Sequence, residues 1–131
     1  MNYQNSDYAA LVLRLSLGVM FVAHGLLKLL VFGLAGTAGF FESIGFPGWT
    51  AYLVAPAEVL IGIALILGVY SRWVALASLP ILGGALWVHA GNGWLFSNAN
   101  GGWEFPLFLI ASALVVALLG DGRIAAVRSR A

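Results

Sequence analysis

The sequence predicts an all-α polytopic membrane protein: a bundle of four transmembrane helices with a short interfacial segment between helices 1 and 2. Two observations carry that prediction. Of 131 residues, 62% are hydrophobic and 8% charged, against about 25% charged in a soluble domain. The mean hydropathy is +0.99. A chain this short buries only part of its surface on folding, so the solvent for most of these side chains must be lipid. The second observation is the division of the chain into four apolar segments, at about residues 9–32, 51–69, 73–90 and 103–120. A helix needs roughly 20 residues to cross a hydrocarbon core of about 30 Å. Helices satisfy their own backbone groups where no water can, and the alternating ten-residue strands of a barrel are absent. The length allows one domain, residues 1–131,.

The first segment is too long for the apolar region of a signal peptide, contains Arg14 and Lys28, and follows no basic stretch, so it reads as retained,. Between the first two segments, residues 33–48 are apolar but glycine-rich and too short to span. Phe40, Phe41, Ile44 and Phe46 are placed to form one face of an interfacial helix ending at Gly45,. Pro56 and Pro106 sit near the starts of the second and fourth segments, whereas Pro80 is mid-helix in the third and predicts a kink,. The connection at 91–102 is uncharged and turn-rich, a loop or a lid over the bundle mouth,.

Arg123, Arg128 and Arg130 follow the fourth segment, and Arg72 lies in the tight second connection. Basic residues mark the cytoplasmic side, which puts both termini in the cytoplasm of a bacterial-type inner membrane and the two longer connections outside. Trp49, Tyr52, Trp94 and Trp103 fit an outer aromatic belt, with Tyr70 and Trp73 in an inner one. The net charge of +1 offers no field for nucleic acid,. The lack of cysteine excludes thiol exchange and every cysteine-ligated cluster or metal,.

Ionisable side chains inside spans are costly, and they usually face the bundle interior or mark a functional path. Here they are Arg14, His24, Lys28, Glu58, His89 and Glu104. His24 and Lys28 are four apart on one helical face, and Arg14 and Phe21 continue that stripe,. Counted from the outer helix ends, His24 and Glu58 both lie about 10–12 Å deep, so antiparallel neighbours bring them together. His89 and Glu104 sit nearer the outer mouth. The candidate pocket is therefore His24, Lys28, Glu58, His89, Glu104 and Phe21, with Phe105 and Trp87 as further flat walls. Arg14, near the cytoplasmic end, is expected to snorkel to the interface. The metal motifs are missing: neither glutamate belongs to a Glu-x-x-His pair, and no His-Glu-x-x-His is present,.

Several stretches together resemble the DoxX family of small inner-membrane proteins. They are RLSLGVMFVAHGLLK from Arg14 to Lys28, GFFESIGFP at 39–47, PAEVLIG from Pro56 to Gly62, and LGVYSR from Leu67 to Arg72. The resemblance implies the four-helix fold, with His24, Lys28, Glu58 and Arg72 at family-typical positions. It also implies a redox context, since some relatives are membrane subunits of quinone- or quinol-linked oxidoreductases and others act in quinone stress or partner assembly.

Two function classes follow. In one, the pocket binds a quinone or similar small lipophile beside a membrane or periplasmic redox partner. His24 and Lys28 would meet its carbonyl oxygens, and Glu58 would tune or shuttle protons. In the other, Glu58, Lys28 and His24 only hold the bundle in register. Small-residue surfaces at Ala64/Gly68 and Ala113/Ala117 then pack against a partner or a second copy. A transporter is a poorer third reading, because four helices leave little room for alternating access.

Overall fold

The computed structural model describes residues 2–129. Among these residues the regular structure is helical, with five α-helices: α1 (Asn5–Leu26), α2 (Leu34–Ser43), α3 (Ala51–Leu67), α4 (Ser71–His89) and α5 (Glu104–Leu119). Three continuous helical stretches are long and apolar enough to cross a bilayer: Asn5–Val31 with 27 residues, Gly48–Leu67 with 20, and Ser71–Asn92 with 22. The apolar α5 has 16 residues, a rise of about 24 Å. Residues 33–48, expected as an interfacial segment, hold the ten-residue α2.

α1 begins four residues earlier than its hydrophobic pattern suggests. The Gln4 N–H donates to the Asp7 carboxylate at 2.8 Å and closes the first turn,. At its C-terminal end α1 passes directly into a π-helical turn, Leu27–Val31, in which the Phe32 N–H donates to the Leu27 carbonyl at 3.0 Å. One extra residue per turn is a costly local distortion that recurs at functional sites, and hydropathy carries no sign of it. α4 runs through Pro80 unbroken.

α1 packs most extensively on α3, and α4 on α5. The first pair approaches closely because small residues face each other. A Cβ added at Gly18 would sit 2.8 Å from the Gly62 carbonyl oxygen, and one at Gly62 would sit 2.6 Å from that of Gly18. Between the two pairs lies a core that includes Leu17, Phe21, Leu65, Leu82 and Val116. The outer surface is strongly apolar: Leu30, Leu60, Phe108 and Leu118 are each more than three-fifths exposed, as lipid-facing residues should be. Gly68 and Ala113 are buried within the chain. Ala64 and Ala117 remain partly exposed, so each of these two surfaces presents one small residue.

The segment after α5 crosses the end of the bundle. Val127 forms a parallel bridge with Val69, its N–H reaching the Gly68 carbonyl at 3.0 Å and its carbonyl accepting from Tyr70 N–H at 2.8 Å. Arg14 holds this segment and does not snorkel. It is 1% exposed, and its guanidinium donates to the carbonyls of Leu65 (3.2 Å), Asp121 (2.6 Å) and Ile124 (2.8 Å). Nε serves one carbonyl and Nη1 the other two, and these bonds explain why the charge stays inside,. Asp121 closes the arrangement by accepting the N–H groups of Ser71 at 2.7 Å and Ser129 at 2.6 Å. Burial pushes the Asp121 carboxyl up, but the hydrogen bonds from Ser129 and Ser71 outweigh it and hold the group below the usual carboxylate range,. Arg72 donates to the Ala117 carbonyl at 2.9 Å. The Arg123 N–H meets Asp7 at 3.1 Å. Arg130, counted above among the cytoplasmic charges, lies outside the described residues.

Candidate functional site

Helical spacing places Leu17, Phe21 and His24 on one stripe of α1, continued by Lys28 in the π-helical turn, and that stripe forms one wall of a cavity of about 280 Å³,. Glu58 borders it from α3, Leu82 and His89 from α4, and Phe105 from α5. The 91–102 connection borders the mouth with Phe96, Gly101 and Gly102. Gly101, at φ 78°, lets the backbone pass close to His89, and a Cβ there would lie 3.3 Å from the imidazole Cδ2,. The connection is folded in its own right. The N–H groups of Trp103 and Glu104 reach the carbonyls of Gly93 (2.9 Å) and Trp94 (3.1 Å). It is a loop with its own hydrogen bonds that lies along the cavity mouth.

One ion pair dominates the polar wall. Lys28 Nζ donates to both Glu58 oxygens, at 2.9 and 3.1 Å. Glu58 is 4% exposed as a residue, and the Lys28 side chain is 22% exposed. A buried carboxylate remains charged only if paired or hydrogen-bonded, and Lys28 provides both.

The two histidines are held alike. His24 Nδ1 lies 2.7 Å from the Met20 carbonyl, and His89 Nδ1 lies 2.7 Å from that of Ala85, each four residues back on its own helix. A carbonyl only accepts, so Nδ1 carries the proton in each case. The Nε2 of a neutral ring is then an acceptor, and it becomes a donor only when the ring is protonated. The His24 ring centroid is 6.3 Å from that of Phe105, tilted by 30°. The chemistry available is an apolar slot between aromatic side chains, with a proton-accepting imidazole and a carboxylate–ammonium pair on its rim.

Five of the six sequence-derived candidates border this cavity: Phe21, His24, Lys28, Glu58 and His89. Glu104 does not. It belongs to a separate outer groove with Trp94 and Phe108, and its carboxylate accepts the Phe96 N–H at 3.1 Å. Opening the first turn of α5, it turns back to tie the preceding loop. Trp87, expected as a wall, is 62% exposed and packs on Phe46 with ring centroids 5.2 Å apart. The aromatic wall of the cavity comes instead from Phe96, Phe105 and Phe21. In α2, Thr37 and Ala38 are buried against the rest of the chain, whereas Phe40 is 57% exposed. Among the described residues no three His, Cys, Asp or Glu side chains cluster as a metal site would require.

Met20, Ala85 and Leu109 line the cavity without having been singled out. Met20 is one turn before His24, and Ala85 one turn before His89, so the helical period from each histidine could have found both.

A DoxX family profile matches residues 9–91, from α1 through the turn that follows α4. Over 116 residues the chain is 33% identical to a Bacillus subtilis (strain 168) protein named "Putative oxidoreductase CatD", covering 88% of this chain and 81% of that one. No solved structure matches. The matched stretch carries Arg14, the Lys28–Glu58 pair and both histidines, which are the residues that organise the bundle and its cavity. On that match and on its apolar helices, this chain belongs to the DoxX family of membrane proteins.

Proposed function

We propose that the protein is a redox-associated subunit of the bacterial inner membrane whose cavity binds the ring of a quinone or a similar small lipophile. The observation that carries this reading is the slot of about 280 Å³ with Phe21 and Phe105 among its apolar lining and His24 and the Lys28–Glu58 pair on its rim. Apolar cavities of about 150 Å³ already accept benzene, so a substituted ring fits. Reduction of a quinone to its quinol takes up two electrons and two protons. A separate redox protein supplies the electrons, in keeping with the oxidoreductase in the relative's name. His24 and the Lys28–Glu58 pair pass protons to or from the two ring oxygens. With Nδ1–H engaged by Met20, a neutral His24 accepts the hydroxyl proton of a quinol, and an imidazolium donates to a quinone,. In native-lipid preparations the wild-type chain should retain a quinone chromophore. His24→Ala should reduce added-quinone affinity at least tenfold, with helix content unchanged. A wild-type chain that binds no quinone would remove this reading.

Four crossings with both termini cytoplasmic complete the proposal. Arg123 reaches Asp7 and Asn2, and Val127 reaches Gly68 and Tyr70. These contacts support placing the N-terminus, the α3–α4 turn and the segment after α5 at one end, as an even number of crossings requires. Cysteines introduced at Ser43 and Ser97, both exposed, should react with an impermeant thiol reagent in intact cells. Protection of both, with labelling at Ser129, would invert the topology.

A scaffold without chemistry is the second reading, favoured by the direct Lys28–Glu58 pair, because such pairs also fix helix register.

A further inference from the structure

Behind the rim of the cavity lies a second space of about 500 Å³, between the outer end of α1 and α2. Its walls are apolar: Leu27, Phe32, Phe40 and Phe41, with Gly36 and Thr37 on the α2 side. The two spaces have His24 and Lys28 in common, so these two side chains stand at the junction between them. Phe32 and Phe40 are 62% and 57% exposed, and the second space is therefore a groove open to the surroundings of α2. For a DoxX membrane protein those surroundings are hydrocarbon or its boundary.

We propose that this groove receives the hydrocarbon tail of a membrane-dissolved amphiphile whose polar ring sits in the inner cavity, so that ligand enters sideways from the bilayer past His24 and Lys28. The inference rests on the ring-binding reading above and adds to it where the tail goes and by which door the ligand arrives. Three features support it. An inner cavity of about 280 Å³ is large enough for a ring but leaves little space for a chain of ten or more carbons. The groove is unfilled by the protein itself, since a Cβ built at Gly36 would meet nothing within 4 Å. The junction is also built by a local distortion: Lys28 lies in the π-helical turn, and the Thr37 hydroxyl is within hydrogen-bond reach of the carbonyls of Lys28 (3.2 Å) and Gly33 (2.8 Å). That contact pins α2 beside the junction while most of its surface stays exposed. Such single wide turns recur where a helix is shaped for a ligand.

The test uses the full chain in lipid nanodiscs and two probes, 2,3-dimethoxy-5-methyl-1,4-benzoquinone with and without a decyl tail. Gly36→Leu places a side chain in the groove and favours the helix, since Leu is a better helix former than Gly. Gly39→Leu makes the same change on the same helix, at another open position that does not line the groove. The tail already lies in hydrocarbon before it binds, so what Gly36→Leu takes away is the room for it in the groove and its packing contacts there,. Gly36→Leu should therefore weaken the decyl compound about tenfold and leave the tail-less one unchanged, while Gly39→Leu alters neither. Wild-type tightness for the decyl compound in Gly36→Leu would overturn the proposal, as it would if bulk phospholipid chains occupy the groove. An equal loss of both probes in Gly36→Leu would overturn it too. If neither probe binds the wild type, the ring-binding reading fails and the tail site falls with it. If both bind and Gly36→Leu does not discriminate, only the tail site is lost.

Discussion

Glu58→Gln is expected to destabilise the outer half of the bundle by about 2–3 kcal/mol, seen as earlier thermal unfolding in detergent. Breaking a fully buried pair by removing one partner costs about 3–5 kcal/mol, because the remaining charge is stranded. Here the Lys28 side chain is 22% exposed and recovers part of its hydration, so the loss is reduced. Adding Lys28→Met removes the stranded ammonium and should restore most of the stability. The same four proteins (wild type, two single variants and the double) separate function from scaffold. If the pair relays protons, the double variant is stable but fails to support quinone-linked turnover. A double variant that regains both full stability and full activity would end the proton-relay reading and leave Lys28 and Glu58 as a register device.

Arg14→Met should be the most damaging single substitution at the opposite end, at about 3–5 kcal/mol. It removes three charge-assisted hydrogen bonds to carbonyl groups, each worth about 1.5–3 kcal/mol, from a side chain that is 1% exposed,. Not all of that sum is lost, since freed carbonyls near the tail regain water. The tail should detach, making Arg123 and Arg128 sensitive to trypsin in inside-out vesicles. Arg14→Lys should rescue little, because one ammonium nitrogen cannot stand at both the Nε and the Nη1 positions that the three carbonyls engage,. Wild-type stability together with trypsin resistance in Arg14→Met would show that the clamp contributes nothing. Acid should mimic the detachment. The Asp121 pKa is lowered in the folded state, so its contribution is present above the unfolded carboxylate value of about 3.9. That contribution is lost as pH falls through the lowered folded value. The protection of the Ser71 and Ser129 amides, relative to their intrinsic exchange rate at each pH, should therefore fall only below that ordinary value, and a loss of protection between pH 5 and 7 would contradict it,.

The sequence by itself determined the membrane character, the positions of the long helices and the residues that organise the cavity. Each of these follows from a local quantity. Runs of apolar residues set the helices, since lipid leaves the backbone no partner but itself. Ionisable residues within those runs are so costly that their presence singles out Lys28, Glu58 and His24, and the helical period puts Phe21, His24 and Lys28 on one stripe,. Shared depth on antiparallel helices puts Glu58 level with His24, and the structure then pairs it with Lys28, four residues on from that histidine. Only the tertiary structure decided which way each side chain points when two outcomes have similar local cost. Arg14 near a helix end can reach water or an internal acceptor. It turns inward because the tail after α5 brings the Asp121 and Ile124 carbonyls to it, more than 100 residues away in sequence. Glu104 turns back to its own loop, and Trp87 faces out onto Phe46. The π-helical turn at Lys28 and the unfilled groove beneath α2 arise where α2 folds against the end of α1. Periodicity ranks faces by polarity, but a cavity is space left between elements, and it exists only once their packing is fixed.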